Sequence, residues 1–381
     1  VKIVLAPDSF KGNLRSPTVC AALARGIHDA DPDAEVISVP MADGGEGTTE
    51  SVAAATGGTL RFVTVEGPLG HPCQAKYALL PDGTAVAEMA SASGIELIRK
   101  EDLNPLLAST FGTGELLRAM LDAGATRVIL GIGGSATVDG GAGMAQALGY
   151  RLLDGEGQDL PRGGEPLRRL ALVLDDRVHP RLRTCPIQVA CDVTNPLLGD
   201  TGAVRVFGPQ KGATKDMFST LEAGLARLAE AWRSQGMLSD EAPGDGAAGG
   251  LGAGLRAFCG AELTSGAKLV ADAVGLDIAL DGADLVITGE GCSDHSTAFG
   301  KLPAYVAGRA RQRGIPTILV SGGLRDAGIA LEEAFSAVFP ICRDAMPLTD
   351  AMALAEEDLQ RMARNIVRLL RCAAVGQAFR R

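Results

Sequence analysis

Apolar residues in this chain fall either in short β-branched runs or at helical spacing, and the two kinds alternate in the order expected of a parallel sheet with helices outside it. Val1 to Ala6 reads as a buried strand, and Ser16 to Ala30 as a helix with Val19, Leu23 and Ile27 on one face and Ser16 as N-cap. Glu35 to Pro40 predicts a second strand and residues 47 to 55 a second helix. From about 59 to 90 the rhythm changes to LRFVTVEG, AKYALL and TAVAEMA separated by GPLGHP and PDGT, the pattern of antiparallel strands with hairpin turns. A helix within Leu106 to Gly124 leads to a strand at Arg127 to Gly131; Ile187 to Cys191 is a further strand and 215 to 234 an amphipathic helix. Parallel rhythm then returns, with strands at Leu285 to Thr288, Thr317 to Ser321 and Ala337 to Pro340 and helices around 303 to 313 and 349 to 373.

This order predicts an α/β protein of two α/β domains. One is a doubly wound parallel sheet of Rossmann or flavodoxin type built from both chain ends, 1–58 plus 258–381; the other is an inserted mixed-sheet domain, 59–257, with the active site expected in the cleft between them. The glycine-rich stretch from Ser234 to 254, SQGMLSDEAPGDGAAGGLGAG, reads as an interdomain connection.

Composition narrows the function classes. A chain of 381 residues is too long for one ordinary core, and its 50 glycines are nearly twice the share expected at an average of roughly 7%. With 46 acidic against 36 basic side chains and no long basic tract, nucleic acid is an unsuitable partner. The start VKIVLAPDS lacks the features of a signal peptide, and no apolar run approaches membrane-spanning length, so a cytoplasmic, non-membrane protein is expected. Eight cysteines without a C-x-x-C pair point to buried thiols in a reducing compartment rather than zinc or disulfides.

Candidate chemistry concentrates in loops that follow strands. RVILGIGGSATVDGGAGM (127–144) runs a strand into glycines and small hydroxyl residues, a composition that brings backbone N–H groups close to an anion. Pro7-Asp-Ser-Phe-Lys11, Asp43-Gly-Gly-Glu46 and Gly289-Glu-Gly-Cys-Ser-Asp294 are acidic loops at strand carboxyl ends, the edge where open α/β sheets bind ligands. Carboxylates, lysines and bare backbone donors together suit a polyphosphate with magnesium. Neither a Walker sequence nor the HRD and DFG kinase signatures occur, so phosphoryl transfer would use another scaffold.

KIVLAPDSFKG, VPMADGGEGT, EGPLG, EMASASGIEL, GTGELL, GIGGSATVDGGAGMAQALG, ACDVTNPLLG, FGPQKGA and VITGEG…D…GK, in that order, resemble the bacterial glycerate kinase type I family over nearly the whole chain. The resemblance implies phosphorylation of D-glycerate by ATP with Mg2+, 2-phosphoglycerate being the favoured product. The sequence departs from the family pattern GEGRxDxQ(S/T)xxGK at Cys292 and Ser296, where arginine and glutamine are usual, and Val138 stands where asparagine is frequent. Loss of that arginine removes a bidentate partner for carboxylate or phosphate.

On these motif positions Lys11, Asp43 and Asp294 are the catalytic candidates, and Asp8, Ser9 and Glu46 the substrate-binding ones. Asp8 and Ser9 could instead cap the following helix, and Glu46 or Asp43 the helix at 47–55. Gly133, Gly134, Ser135, Thr137, Asp139, Gly140, Lys211, Gly289, Glu290 and Lys301 are cofactor-binding candidates, Lys211 having an exposed loop lysine as its plain alternative. Asp192 and Asp294 are the candidate metal ligands, with an Asx turn the alternative for Asp192 and Asn195. Two rival functions stay open: a dinucleotide-dependent oxidoreductase, since Gly131-Ile-Gly133-Gly-Ser-Ala136 fits G-x-G-x-x-A with Asp154 as ribose acid, and a non-catalytic nucleotide or metabolite sensor. ATP and D-glycerate are the expected partners; the sequence carries no signal for an oligomeric state.

Overall fold

The computed structural model describes residues 1–325 and 329–378. Its strands are, in chain order, β1 (Lys2–Leu5), β2 (Glu35–Ser38), β3 (Thr59–Glu66), β4 (Pro72–Leu79), β5 (Thr84–Glu88), β6 (Arg127–Gly131), β7 (Arg151–Asp154), β8 (Leu170–Leu174), β9 (Ile187–Ala190), β10 (Glu262–Thr264), β11 (Leu285–Glu290), β12 (Thr317–Ser321) and β13 (Ala337–Pro340). Two compact units divide the chain: Val1–Asp43, Ala54–Thr56 and Val270–Arg381 form the first, and Gly44–Ala53 with Gly57–Leu269 the second. The sequence placed the boundaries at 58/59 and 257/258; residues 44–53 instead group with the second unit, and the chain returns to the first at Val270.

The first unit is built on a five-stranded sheet in the order β13-β12-β11-β1-β2, every pair parallel. Its strands are short apolar runs because both faces are covered: Ile3, Val4 and Leu5 are buried, and so is all of β12. Strand order reverses beside β1, whose neighbours are β2 on one side and β11 on the other, which is the flavodoxin-type switch point. The helix Ser16–Ala30 packs Val19, Leu23 and Ile27 into this unit's core together with Leu359, Ala363 and Ile366 of the helix Leu348–Ala378. A Cβ at Gly26 would lie 2.0 Å from Gln360 O, so only glycine lets these two helices cross so closely. Ser16 is not the N-cap: Arg15 holds that position, and Ser16 Oγ donates to Pro7 O at 2.7 Å, tying the helix to the loop after β1.

The second unit carries a six-stranded mixed sheet, β10-β9-β6-β5-β4-β3. β10, β9, β6 and β5 run parallel, while β5–β4 and β4–β3 are antiparallel, as the alternating runs and PDGT turn predicted. β7 and β8 form a separate two-stranded ladder. The core runs from Leu116, Leu117 and Met120 through Val128, Leu130 and Val189 to Trp232 and Phe258.

Residues 234–254 are not an interdomain connection, for they lie inside the second unit. Their glycines allow backbone to pack on backbone within the helix Ala247–Cys259 and its irregular start. Gly249 has φ +70, and a Cβ there would sit 1.9 Å from Thr137 O; one at Gly254 would meet Gly140 O at 2.2 Å. Gly249→Ala therefore combines a left-handed backbone with a clash against main chain, and it is expected to cost about 3 kcal/mol in urea unfolding. A loss below about 0.5 kcal/mol would show that the loop at 137 yields instead.

Candidate active site

Parallel pairing in the first unit continues past the strands and assembles the ends of β1, β2 and β11. Ala6 N donates to Ile287 O (2.9 Å) and Asp8 N to Gly289 O (2.8 Å), while Val39 N donates to Leu5 O (2.8 Å) and Met41 N to Pro7 O (3.0 Å). Asp8 and Asp43, which follow β1 and β2, and Glu290, the last residue of β11, thus gather at the switch point around Lys11. Lys11 Nζ donates to Asp43 Oδ2 at 2.6 Å, with the two side chains 62% and 31% exposed. Asp8 is 6% exposed, and its Oδ1 accepts Ser9 N at 2.7 Å. Burial, reinforced by the charge of Asp43, pushes the Asp8 carboxyl up to about 7 against the opposing pull of Lys11. Burial alone would lower the Lys11 ammonium, but Asp43, with Asp8 and Glu290 behind it, raises it, so this lysine stays charged.

Glu290, Asp294 and Lys301 have different surroundings. Glu290 Oε1 accepts Ser293 Oγ (2.9 Å) and Thr297 Oγ1 (2.6 Å), which fixes the turn after β11. Asp294 caps the short helix His295–Ala298: Oδ1 accepts Ser296 N (2.9 Å), Ser296 Oγ and Lys301 Nζ (3.3 Å), and Asp294 N donates to Thr297 Oγ1 (3.1 Å). The Ser296 hydroxyl and Lys301 hold this exposed carboxyl below its ordinary range. Much of what Asp294 was expected to offer a metal or proton is therefore engaged by its own loop. Ser296, at the family's glutamine position, supplies part of that engagement. Cys292 is exposed, and His295 stacks on Phe299 with centroids 4.7 Å apart. Gly291 lies against the backbone of Phe10 and Lys11, where a Cβ would be 3.2 Å from Phe10 Cα.

In the second unit the loop after β6 divides into two parts. Gly133 and Gly134 are exposed, Gly134 at φ +73, whereas Ser135 through Gly140 are buried. Ile95 N donates to Gly134 O (2.8 Å) and Ala136 N to Ser93 O (3.0 Å), stitching the loop to SASGIEL. Asp139 is fully buried, and its carboxylate accepts Thr110 N (2.8 Å), Thr110 Oγ1 (2.9 Å), Gly141 N (3.2 Å) and Gly143 N (3.2 Å). Gly140 N is bonded to Gly249 O at 3.1 Å. These contacts correct the expectation that Asp139 and Gly140 offer themselves to a cofactor: a buried carboxylate needs donors, and here the protein supplies them. Lys211 is not a surface lysine. It is 1% exposed, and Nζ donates to Ser135 Oγ (2.5 Å) and Thr137 O (2.8 Å); burial lowers its ammonium to about 7 against the pull of Asp139.

Glu88, at the end of β5, was missed in the sequence. It is buried, and its two oxygens accept Thr49 N (2.7 Å) and Gly47 N (3.2 Å), capping the helix Thr48–Thr56 from another strand. Glu46, one of the capping alternatives, is exposed and makes no such bond. Burial raises the Glu88 carboxyl, opposed by the Thr49 and Gly47 N–H groups. The one available signal was EMASASG, which puts a glutamate at the end of an otherwise apolar strand. Asp192 is exposed and Oδ1 accepts Gly266 N (3.1 Å) at the start of the helix Gly266–Val274, and Asn195 Nδ2 donates to Thr201 O (2.8 Å), both tasks that hold loops.

A family model of the glycerate kinase family matches residues 3–371. The chain belongs to the glycerate kinase family. This kinase is 45% identical to a glycerate 2-kinase of Escherichia coli (strain K12), over 97% of its own chain and 98% of the relative, and 45% identical to a glycerate kinase of Bacillus subtilis (strain 168), over 98% of both. A crystal structure described as a glycerate kinase 2 from Salmonella typhimurium LT2 superposes with a TM-score of 0.91 at 45% identity, covering 98% of the kinase and 99% of that chain.

The dinucleotide reading of Gly131 to Ala136 does not survive. In that fingerprint the helix opens at the third small residue, but here the helix Ala142–Ala147 starts later and Ala136 N is already bonded to Ser93 O. Asp154 Oδ1 accepts Glu156 N and Gln158 N, both at 3.0 Å, within its own turn. Among the described residues no helix of the kinase is long and apolar enough to cross a membrane.

Proposed function

We propose that this kinase transfers the terminal phosphoryl group of ATP to a hydroxyl of D-glycerate, with 2-phosphoglycerate as product and magnesium as the assisting cation. The observation that carries the reading is the cluster at the switch point, where Asp8, Asp43 and Glu290 face a single ammonium, Lys11. In phosphoryl transfer, positioning and charge neutralisation supply most of the rate. Lys11 is charged and exposed enough to meet a phosphoryl oxygen, and Asp43 holds its ammonium in place. Asp8 is the carboxylate set to receive the hydroxyl proton: Oδ1 is kept by Ser9 N–H, leaving the other oxygen for substrate.

Magnesium takes oxygen ligands and commonly uses only one or two carboxylates beside phosphate and water. Among the described residues no group of three or more His, Cys, Asp or Glu is arranged as a metal cage. The all-oxygen, net-negative set around Lys11 nevertheless fits that lighter demand, and Asp43 and Glu290 would hold the ion. When bound, the ion neutralises charge on the polyphosphate; the protein's part is to position the reactants and accept the proton. Gly133 and Gly134 are the exposed backbone of the glycine loop and would receive an anionic end of a reactant.

The test is a coupled assay with D-glycerate, ATP and magnesium, with the product isomer identified by NMR. Glycerate-dependent release of ADP together with 2-phosphoglycerate is the expected result. Binding of either reactant without turnover would make the protein a sensor, and formation of 3-phosphoglycerate would overturn the choice of hydroxyl.

A further inference from the structure

Lys211 lies in an unusual setting for a lysine. Its ammonium is buried in the second unit and pairs with a hydroxyl and a carbonyl, while the one carboxylate that influences it, Asp139, spends its oxygens on Thr110, Gly141 and Gly143. Among the described residues no carboxylate lies within ion-pairing distance of it. An ammonium removed from water without a partner anion is costly, so the fold retains an imbalance of charge beside the glycine loop. The depressed proton affinity of Lys211 is consistent with that imbalance.

Its contact with Ser135 shows where the imbalance is directed. Lys211 Nζ donates to Ser135 Oγ at 2.5 Å, so the serine oxygen is an acceptor and its single proton must be given elsewhere. Among the described residues that proton has no protein acceptor. Ser135 is 6% exposed and directly follows Gly133 and Gly134, which are exposed. A second orphan lies alongside: Thr137 Oγ1 is buried without a partner, on the residue whose carbonyl receives Lys211.

We propose that Lys211 and Ser135 form a recognition relay, in which the buried ammonium donates to Ser135 Oγ and Ser135 donates its proton to an oxyanion of a reactant resting on Gly133 and Gly134. The proposal rests on the kinase reading for the identity of the oxyanion, a glycerate carboxylate or an ATP phosphoryl oxygen. Lys211 is the positioning residue and Ser135 the one that touches ligand. Charge-assisted donation makes the serine hydroxyl a stronger donor than a free one, and its low exposure limits competition from water.

The experiment is a double-mutant cycle of Ser135→Ala, Lys211→Met and the pair, with KM and kcat measured separately for D-glycerate and for ATP and with thermal unfolding recorded for each. Ser135→Ala is expected to raise KM for one reactant about 10-fold or more while kcat changes little, and to unfold at a somewhat lower temperature, because the buried ammonium loses one of its acceptors. A shift for D-glycerate identifies the carboxylate as the oxyanion, and a shift for ATP the phosphate. Lys211→Met should act on the same KM, and adding Ser135→Ala to it should cost little more. Wild-type kinetics in Ser135→Ala, or multiplicative effects in the pair, would overturn the relay. If Lys211→Met does not fold, Ser135→Ala still decides. If the wild type fails to phosphorylate glycerate, the kinase reading fails separately. The relay is then tested by titrating inorganic phosphate into wild type and Ser135→Ala, where equal affinity overturns it.

Discussion

Replacing Lys11 with alanine is expected to lower kcat/KM for D-glycerate by about 100- to 1000-fold, the loss typical of one preorganised group that meets transition-state charge. Stability should barely change. In the Lys11–Asp43 pair the lysine is exposed and the aspartate partly exposed, and ion pairs open to solvent contribute at most about 1 kcal/mol, a shift of only about 2–4 °C in a chain built from domains of this size. Asp43→Asn should follow the same pattern with a smaller loss, because an amide still accepts from the Lys11 ammonium but no longer balances it. Steady-state kinetics beside a thermal melt check both. A Lys11→Ala enzyme with a rate near wild type would remove the switch-point loop from the chemistry, whatever its KM.

Asp8→Asn carries the second large effect, and its sign is opposite for stability and activity. The folded carboxyl titrates at about 7 against an ordinary value of 3.8, so between those values the folded chain binds more protons than the unfolded one. Stability therefore falls as pH rises through that window; the relief is complete below about pH 4 and lost above about pH 7. One pKa unit corresponds to about 1.4 kcal/mol, so a rise from 3.8 to about 7 means that ionised Asp8 costs about 4 kcal/mol at pH 8. Asparagine keeps the acceptor for Ser9 N–H without the charge. In metal-free buffer containing a chelator, Asp8→Asn is expected to unfold at higher urea than wild type at pH 8 and at nearly the same urea at pH 4. Turnover should collapse at both. Equal midpoints at pH 8 would mean that the carboxylate is relieved by water or counter-charge, and retained turnover would exclude it as proton acceptor.

The Asp8 expectation and the Lys211–Ser135 relay both place function where the chain is destabilised. Three carboxylates lie around one ammonium in the first unit, and in the second a lysine is buried with no ion pair among the described residues. Such arrangements persist when function needs the unbalanced charge. The buried carboxylates of Glu88 and Asp139 make the contrast: each has its oxygens met by N–H or O–H donors, and their work is to hold loops.

Much of the scaffold was legible in the chain itself. Periodicity located β1, β2, β6, β9, β11, β12 and β13 and the helices Ser16–Ala30, Lys215–Ser234 and Leu302–Arg311 to within a few residues, and the shift to alternation marked the antiparallel strands β3 to β5, whereas the helix Ala247–Cys259 was hidden in the glycine-rich stretch read as a connection. Apolar period is local and reports burial directly, so it survives without knowledge of the fold. It missed the β7–β8 ladder and the short β10, whose few residues give periodicity little to act on. Glycine was the ambiguous letter: it marks an exposed turn at Gly133 and Gly134 but main-chain packing at Gly249 and Gly254, and composition cannot separate these uses.

By itself the sequence determined most of the elements, the family resemblance and the strand-end loops where charge and glycine gather. Tertiary structure decided which charges meet. The order β2-β1-β11 brings Asp8, Asp43 and Glu290 around Lys11 although they lie far apart in the chain, while Asp294 turns back to its own loop, Asp139 turns inward and Lys211 is drawn from an apparent surface loop to Ser135. The reason is physical: whether a residue is apolar can be read one position at a time, but the state of a polar group depends on its partners, and those are set by strand order and close packing between distant segments.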